Sequence, residues 1–156
     1  MLARPIQLNP RGAGAAGRSP QPAVHERKDP LSTAPAPVIL VIEDDPSSRD
    51  VLATFVASLG FDVLQAADGP AALAHIEART DIALVLSDVR MPGMSGLEVL
   101  EWLRVNRPWT KIVLITGDTR SIDDVLANHA IAVLKPYDFD ILGRVIAEAL
   151  GRSSAA

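Results

Sequence analysis

The sequence predicts an α/β fold: an open, doubly wound parallel sheet of five strands with five helices, three layers deep. Two observations carry this. From residue 38 onward, short apolar runs rich in β-branched residues alternate with helix-periodic stretches, which is the signature of successive crossover units. The runs are also continuously apolar, as expected of strands covered on both faces.

The elements run in order along the chain. Val38-Ile39-Leu40-Val41-Ile42 is the first strand and stops at three acids and Pro46. Asp45 then reads as a helix N-cap with proline at the first helical position. That helix runs to about Ser58, with Val51, Leu52, Phe55, Val56 and Leu59 inward and Gly60 as its stop. Phe61–Gln65 is the second strand, and Asp68 caps a helix through about Arg79. Ile82–Ser87 is the third strand, followed by a helix over Gly96–Asn106 that ends before Pro108. Lys111–Ile115 is the fourth strand, and Ser121–Asn128 a short helix capped by Ser121. Ile131–Leu134 is the fifth strand, and Asp138–Leu150 the last helix. Strand order is not fixed by this pattern; the flavodoxin-like order 2-1-3-4-5 is the expectation because it is common at this length.

Residues 38–151 therefore form the domain. Residues 1–37 read as a disordered tail, broken by Pro5, Pro10, Pro20, Pro22, Pro30, Pro35 and Pro37, and residues 152–156 as a short C-terminal tail. The tail over 1–37 carries a balance of +3, which leaves −7 for the rest of a chain with net charge −4. An acidic body argues against a nucleic-acid-binding face. With no cysteine, thiolate metal sites and thiol nucleophiles are excluded. His25, His75 and His129 are isolated and lack ligand spacing. No apolar run approaches the roughly 18 residues that cross a bilayer, and the start lacks a secretory signal, so a soluble cytoplasmic protein is expected.

In such sheets ligands sit outside the carboxyl ends of the strands. Glu43, Asp44 and Asp45 follow strand 1, Asp88 strand 3, Thr116 strand 4 and Lys135-Pro136 strand 5. If strands 1 and 3 are neighbours, Glu43, Asp44 and Asp88 converge, and their repulsion requires a proton or a cation there. An all-oxygen donor set favours a hard cation such as Mg²⁺. A hydroxyl at Thr116 and an ammonium at Lys135 would face the same spot and could hold phosphate oxygens. Nucleophile, metal and charge neutralisation together are what phosphoryl transfer to a carboxylate requires.

With these residues in place, the sequence resembles the receiver (response-regulator) family over essentially all of residues 38–150. Val41-Ile42-Glu43-Asp44-Asp45-Pro46 looks like the family's acidic pair, and Leu86–Gly96 like its phosphoacceptor strand and loop. Thr116-Gly117 and Lys135-Pro136 resemble its remaining signatures. The resemblance implies Asp88 as phosphoacceptor and Asp44 as a direct Mg²⁺ ligand. Glu43 would act directly or through water, and the Arg90 backbone carbonyl would complete the protein ligands. It implies that Thr116 and Lys135 bind phosphoryl oxygens and that the Lys135–Pro136 bond is cis. Phosphodonors would be a histidine kinase, a histidine phosphotransfer protein or acetyl phosphate. Output would run through a protein partner whose identity the sequence leaves open, with no nucleic acid, membrane or DNA-binding output domain; a homodimer is compatible with it.

The chain departs from the family in one region. The aromatic usually found three residues before the lysine is Ala132 here, and the segment from Thr116 to Lys135 is shortened. An alanine cannot report movement of Thr116 by burying or exposing a ring. Such an output face resembles receivers attached to hybrid histidine kinases and some stand-alone receivers. Arg90 and Asp118 also stand across the same mouth, where their pairing would partly cover the phosphoryl group and slow its loss. The rival readings are a non-switching receiver-like interaction module and a metal-dependent phosphohydrolase with Asp88 as nucleophile. Haloacid-dehalogenase-like enzymes place a second Asp two residues beyond the nucleophile, where this chain has Arg90. A flavodoxin-type cofactor binder would need a phosphate-cradling loop in place of the acids after strand 1.

Overall fold

A computed structural model describes residues 34–152. The expected tails over 1–37 and 152–156 lie, apart from residues 34–37 and 152, outside the described residues. The elements are β1 (Val38–Ile42), α1 (Pro46–Ser58), β2 (Asp62–Ala66), α2 (Gly69–Ala78), β3 (Ile82–Asp88), α3 (Gly96–Asn106), β4 (Lys111–Thr116), α4 (Thr119–Ala127), β5 (Ile131–Leu134) and α5 (Phe139–Ala149). The strands pair in parallel in the order β2-β1-β3-β4-β5, as expected.

Strand periodicity sorts the apolar residues into two cores. Ile39 and Val41 of β1 join Leu84, Leu86, Val113, Ile115 and Val133 on the face covered by Leu52 and Val56 of α1 and Leu142 and Ile146 of α5. Val38, Leu40 and Ile42 point the other way, onto Val85 and Leu114 and onto Ile76 of α2, Leu103 of α3 and Val125 of α4. All five β1 residues are buried, which is why that strand has no polar side at all. β3 carries one irregular step: Val38 pairs with Ile82 but Ile39 with Leu84, so Ala83 is an extra residue. That extra residue explains how Ile82 and Val85, three apart, share a face.

Several boundaries differ from the sequence expectation. β2 begins at Asp62, not Phe61; Phe61 is a buried core side chain, whereas pairing starts where Val38 meets Asp62. Val51 and Leu59 of the expected inward face of α1 are 55% and 40% exposed. Leu59 is the C-cap, beyond the last regular turn, and the chain leaves it through Gly60 at φ +92°. α4 starts two residues early: its cap is Asp118, whose carboxylate accepts from the Arg120 amide at 3.0 Å, so Ser121 is inside the first turn and buried. β3 and β4 each run one residue further than expected, so Asp88 and Thr116 are strand residues.

Candidate functional site

The carboxyl ends of β1, β3, β4 and β5 share one edge of the sheet, and the order places β1 beside β3. Glu43 follows β1 and is held by its surroundings. Its amide donates to the Ala66 carbonyl at 3.2 Å, the Arg49 guanidinium donates to its carbonyl at 2.8 Å, and the Asp45 amide donates to Oε1 at 3.3 Å. Asp45 itself caps α1 by accepting from the Ser48 amide at 2.7 Å, as the sequence indicates.

Glu43, Asp44 and Asp88 each bring a carboxylate oxygen to within 4.8 Å of the others. Glu43 is buried, Asp88 half-buried and Asp44 exposed, so the cluster opens to solvent on the Asp44 side. Lys135 Nζ bridges the two inner acids, donating to Asp88 Oδ2 at 3.0 Å and to Glu43 Oε2 at 3.1 Å. Burial pushes the Glu43 carboxyl above the usual range, against the pull of Lys135. For Lys135 burial acts downward, but its hydrogen bonds to Asp88 and Glu43 outweigh it and hold the ammonium above its ordinary value. The cluster thus has three acids against one cation, and an all-oxygen donor set that fits a hard divalent ion. The Lys135–Pro136 bond is cis.

Asp88 is fixed by neighbours in sequence. The Arg90 amide donates to its Oδ1 at 3.2 Å, and the Ser87 hydroxyl donates to its carbonyl at 2.8 Å. Gly96 opens α3 directly against the same carbonyl: a Cβ there would lie 2.4 Å from the Asp88 oxygen. Thr116 is buried at the end of β4, but its hydroxyl is engaged locally. It accepts from the Asp118 amide at 3.1 Å and donates to the Asp118 carbonyl at 3.4 Å.

The Arg90 side chain reaches across the mouth to α4, as its position two residues beyond Asp88 suggested. Its guanidinium pairs with Asp118, and its Nε donates to the Ser121 hydroxyl at 3.3 Å. The Asp118 carboxyl sits below its ordinary range, first because it accepts from the Arg120 amide and then because Arg90 and Arg120 are close.

Three contributors are not singled out by the sequence reading. Arg49 is detectable as the lone cation in the acidic segment that opens α1. Ser121 reads in sequence only as a cap. Tyr137 follows the Lys-Pro pair and, with Val51 and Phe139, walls a cavity of about 600 Å³ beside Glu43 and Lys135. Phe139 meets Tyr137 edge-on, with ring centroids 5.8 Å apart, and packs at a tilt against Phe55 of α1, with ring centroids 4.6 Å apart.

Comparison with known proteins agrees with the fold. The family model for the response regulator receiver domain matches residues 39–146. The sensory transduction protein RegX3 of Mycolicibacterium smegmatis is 37% identical over 102 residues, 64% of this chain and 44% of RegX3. The DNA-binding response regulator MtrA of the same organism is 39% identical over 103 residues, again 64% of this chain and 44% of MtrA. The chain therefore spans less than half the length of either relative. Among solved structures, the response regulator TrrA of Thermotoga maritima in complex with Mg²⁺-BeF superposes with a TM-score of 0.67 at 31% identity, covering 72% of this chain and 97% of that one.

Proposed function

Because the chain belongs to the response regulator receiver domain family, we propose that Asp88 accepts a phosphoryl group in a Mg²⁺-dependent reaction. The observation that carries this reading is the convergence of Glu43, Asp44 and Asp88 with Lys135 bonded to two of them. Glu43, Asp44, Asp88 and the Arg90 carbonyl would hold Mg²⁺, which when bound offsets the negative charge of the acids and of the incoming phosphoryl group.

In the transfer, a carboxylate oxygen of Asp88 attacks phosphorus. The bond from phosphorus to the donor nitrogen or oxygen breaks, and its electron pair leaves with the imidazole or the acyl carboxylate. Asp88 is the nucleophile and needs no proton removed. Lys135 already donates to Asp88 and would keep one donor on the new phosphoryl oxygens. Thr116 would supply a second donor by turning its hydroxyl from Asp118. The donor is a histidine kinase, a histidine phosphotransfer protein or a small acyl phosphate, and the reaction would accordingly run in the cytoplasm. Output runs through contact with a protein partner or with a second copy of the chain.

Intact mass after incubation with acetyl phosphate tests the reading. One phosphoryl addition per chain is expected with Mg²⁺ and none with EDTA. A non-switching interaction module predicts no addition under either condition, and that result would remove Asp88 as acceptor.

The Arg90–Asp118 pair bears on phosphoryl lifetime, since Arg90 lies two residues beyond Asp88 and its pairing with Asp118 would partly cover the phosphoryl group. Arg90→Ala is expected to hasten loss of the phosphoryl group severalfold, read as decay of the mass adduct after the donor is removed. An unchanged decay rate would show that the pair does not shield Asp88.

A further inference from the structure

We propose that the cavity between α1 and the segment after β5 is an acyl subsite, which makes acyl phosphates with a bulky apolar acyl group better phosphodonors than acetyl phosphate. The inference rests on the phosphoacceptor reading above and names the class of small donor that the site takes.

The cavity begins at the acceptor site. Glu43 and Lys135 line one end of it, and Lys135 Nζ is the group that donates to Asp88 at 3.0 Å. A phosphoryl group held by Lys135 would therefore carry its leaving group at the cavity's mouth. The rest of the lining is largely apolar: Val51 is 55% exposed and Phe139 42%, with Pro136 and Tyr137 beside them. Burial holds the Tyr137 phenol above its ordinary value, so it stays neutral and does not repel an anionic donor.

The other side of the site has a different character. Arg90 and Asp118 pair there, on the layer of α3 and α4, whereas the cavity lies on the layer of α1 and α5. An apolar acyl group gains by turning to the cavity and loses by turning to the ion pair.

Size then selects among donors. A cavity of about 600 Å³ is in the range of small-ligand sites. A methyl group leaves most of that space to water, whereas a phenyl ring or a branched chain covers the Val51 and Phe139 surfaces. Ser47 and Ser48 also line the cavity, and their hydroxyls can donate to the acyl oxygens. In the transfer, the bond from phosphorus to Asp88 forms as the bond from phosphorus to the acyl oxygen breaks. The electron pair leaves on the acyl carboxylate, in the cavity, and no further reactant is consumed.

Rates of phosphoryl addition to the whole chain with Mg²⁺, followed by intact mass, test this with benzoyl phosphate and acetyl phosphate as donors. The two leaving carboxylates differ little in basicity, so the ratio of second-order rate constants reports contact with the acyl group. In wild type, benzoyl phosphate should react about tenfold faster or more. Phe139→Ala and Val51→Gln should each lower that ratio at least about threefold, because each removes apolar surface from the wall. Val51→Gln changes an exposed helical position, so it keeps the domain folded even if loss of the Phe139 ring does not. A wild-type ratio near one, or a ratio that the folded variants leave unchanged, overturns the inference and leaves the acceptor reading standing. Absence of addition from both donors overturns the acceptor reading and this inference with it.

Discussion

Asp88→Asn is expected to abolish the phosphoryl adduct with acetyl phosphate while leaving the domain folded. The amide nitrogen lone pair is delocalised and the amide oxygen is a poor nucleophile, so the attack on phosphorus has no substitute atom. The replacement is nearly isosteric and keeps an oxygen that can accept from the Arg90 amide, now at 3.2 Å. Lys135 loses one charged partner and keeps Glu43 at 3.1 Å. One of three converging carboxylates is also gone, which lowers their mutual repulsion. The thermal midpoint should therefore be unchanged or raised, and Mg²⁺ affinity reduced. Intact mass and a melting curve on the same preparation separate the two effects. A normal adduct on Asp88→Asn would relocate the acceptor.

Gly96→Ala is expected to carry the largest structural cost of any single methyl added near the site. The new Cβ would sit 2.4 Å from the Asp88 carbonyl oxygen and 2.9 Å from Leu114 Cδ2. The leucine can give way, but the carbonyl belongs to the end of β3 and cannot. Alanine is favoured over glycine within a helix by about 1 kcal/mol, and overpacking against fixed backbone costs about 3 kcal/mol. The clash wins. A net loss on the order of 2 kcal/mol corresponds to a fall in melting temperature of about 10 °C for a domain of this size. The phosphorylation rate should fall as well, because α3 can relieve the contact only by displacing the acceptor strand. An unaltered melting temperature would mean that α3 does not press on Asp88.

The order of elements and the position of the site are legible in the sequence because both depend on period and on strand ends. β1 reads as five apolar residues and then acids, and it ends in the structure where the acids begin. Asp88, Thr116 and Lys135 stand out because each lies at the carboxyl end of an apolar run. Errors arise where a local interaction overrides the period. Phe61 has the character of a strand residue but is buried ahead of the ladder. Val51 fits the apolar face of α1 yet lies at the rim of a cavity beside Phe139. The start of α4 is ambiguous in sequence because Asp118 and Ser121 are both good caps, and only the fold turns Ser121 toward Arg90. The bonds from Arg49 to Glu43 and from Arg104 to Asn128 join residues whose approach depends on the fold, and propensity does not encode it.

The extra residue in β3 has a bearing on how such a domain tolerates change in length. Side-chain direction in a strand inverts with every residue, so one insertion or deletion ahead of β3 could aim Asp88 at the opposite layer. The step at Ala83 lies between that upstream segment and the regular ladder from Leu84 to Asp88. Ala83 is the odd residue there, and from Leu84 the ladder is locked to Ile39 and Lys111. The aim of the acceptor is thus set by the ladder from Leu84 onward, so a change in the α2–β3 connection reaches Asp88 only where it shifts that pairing.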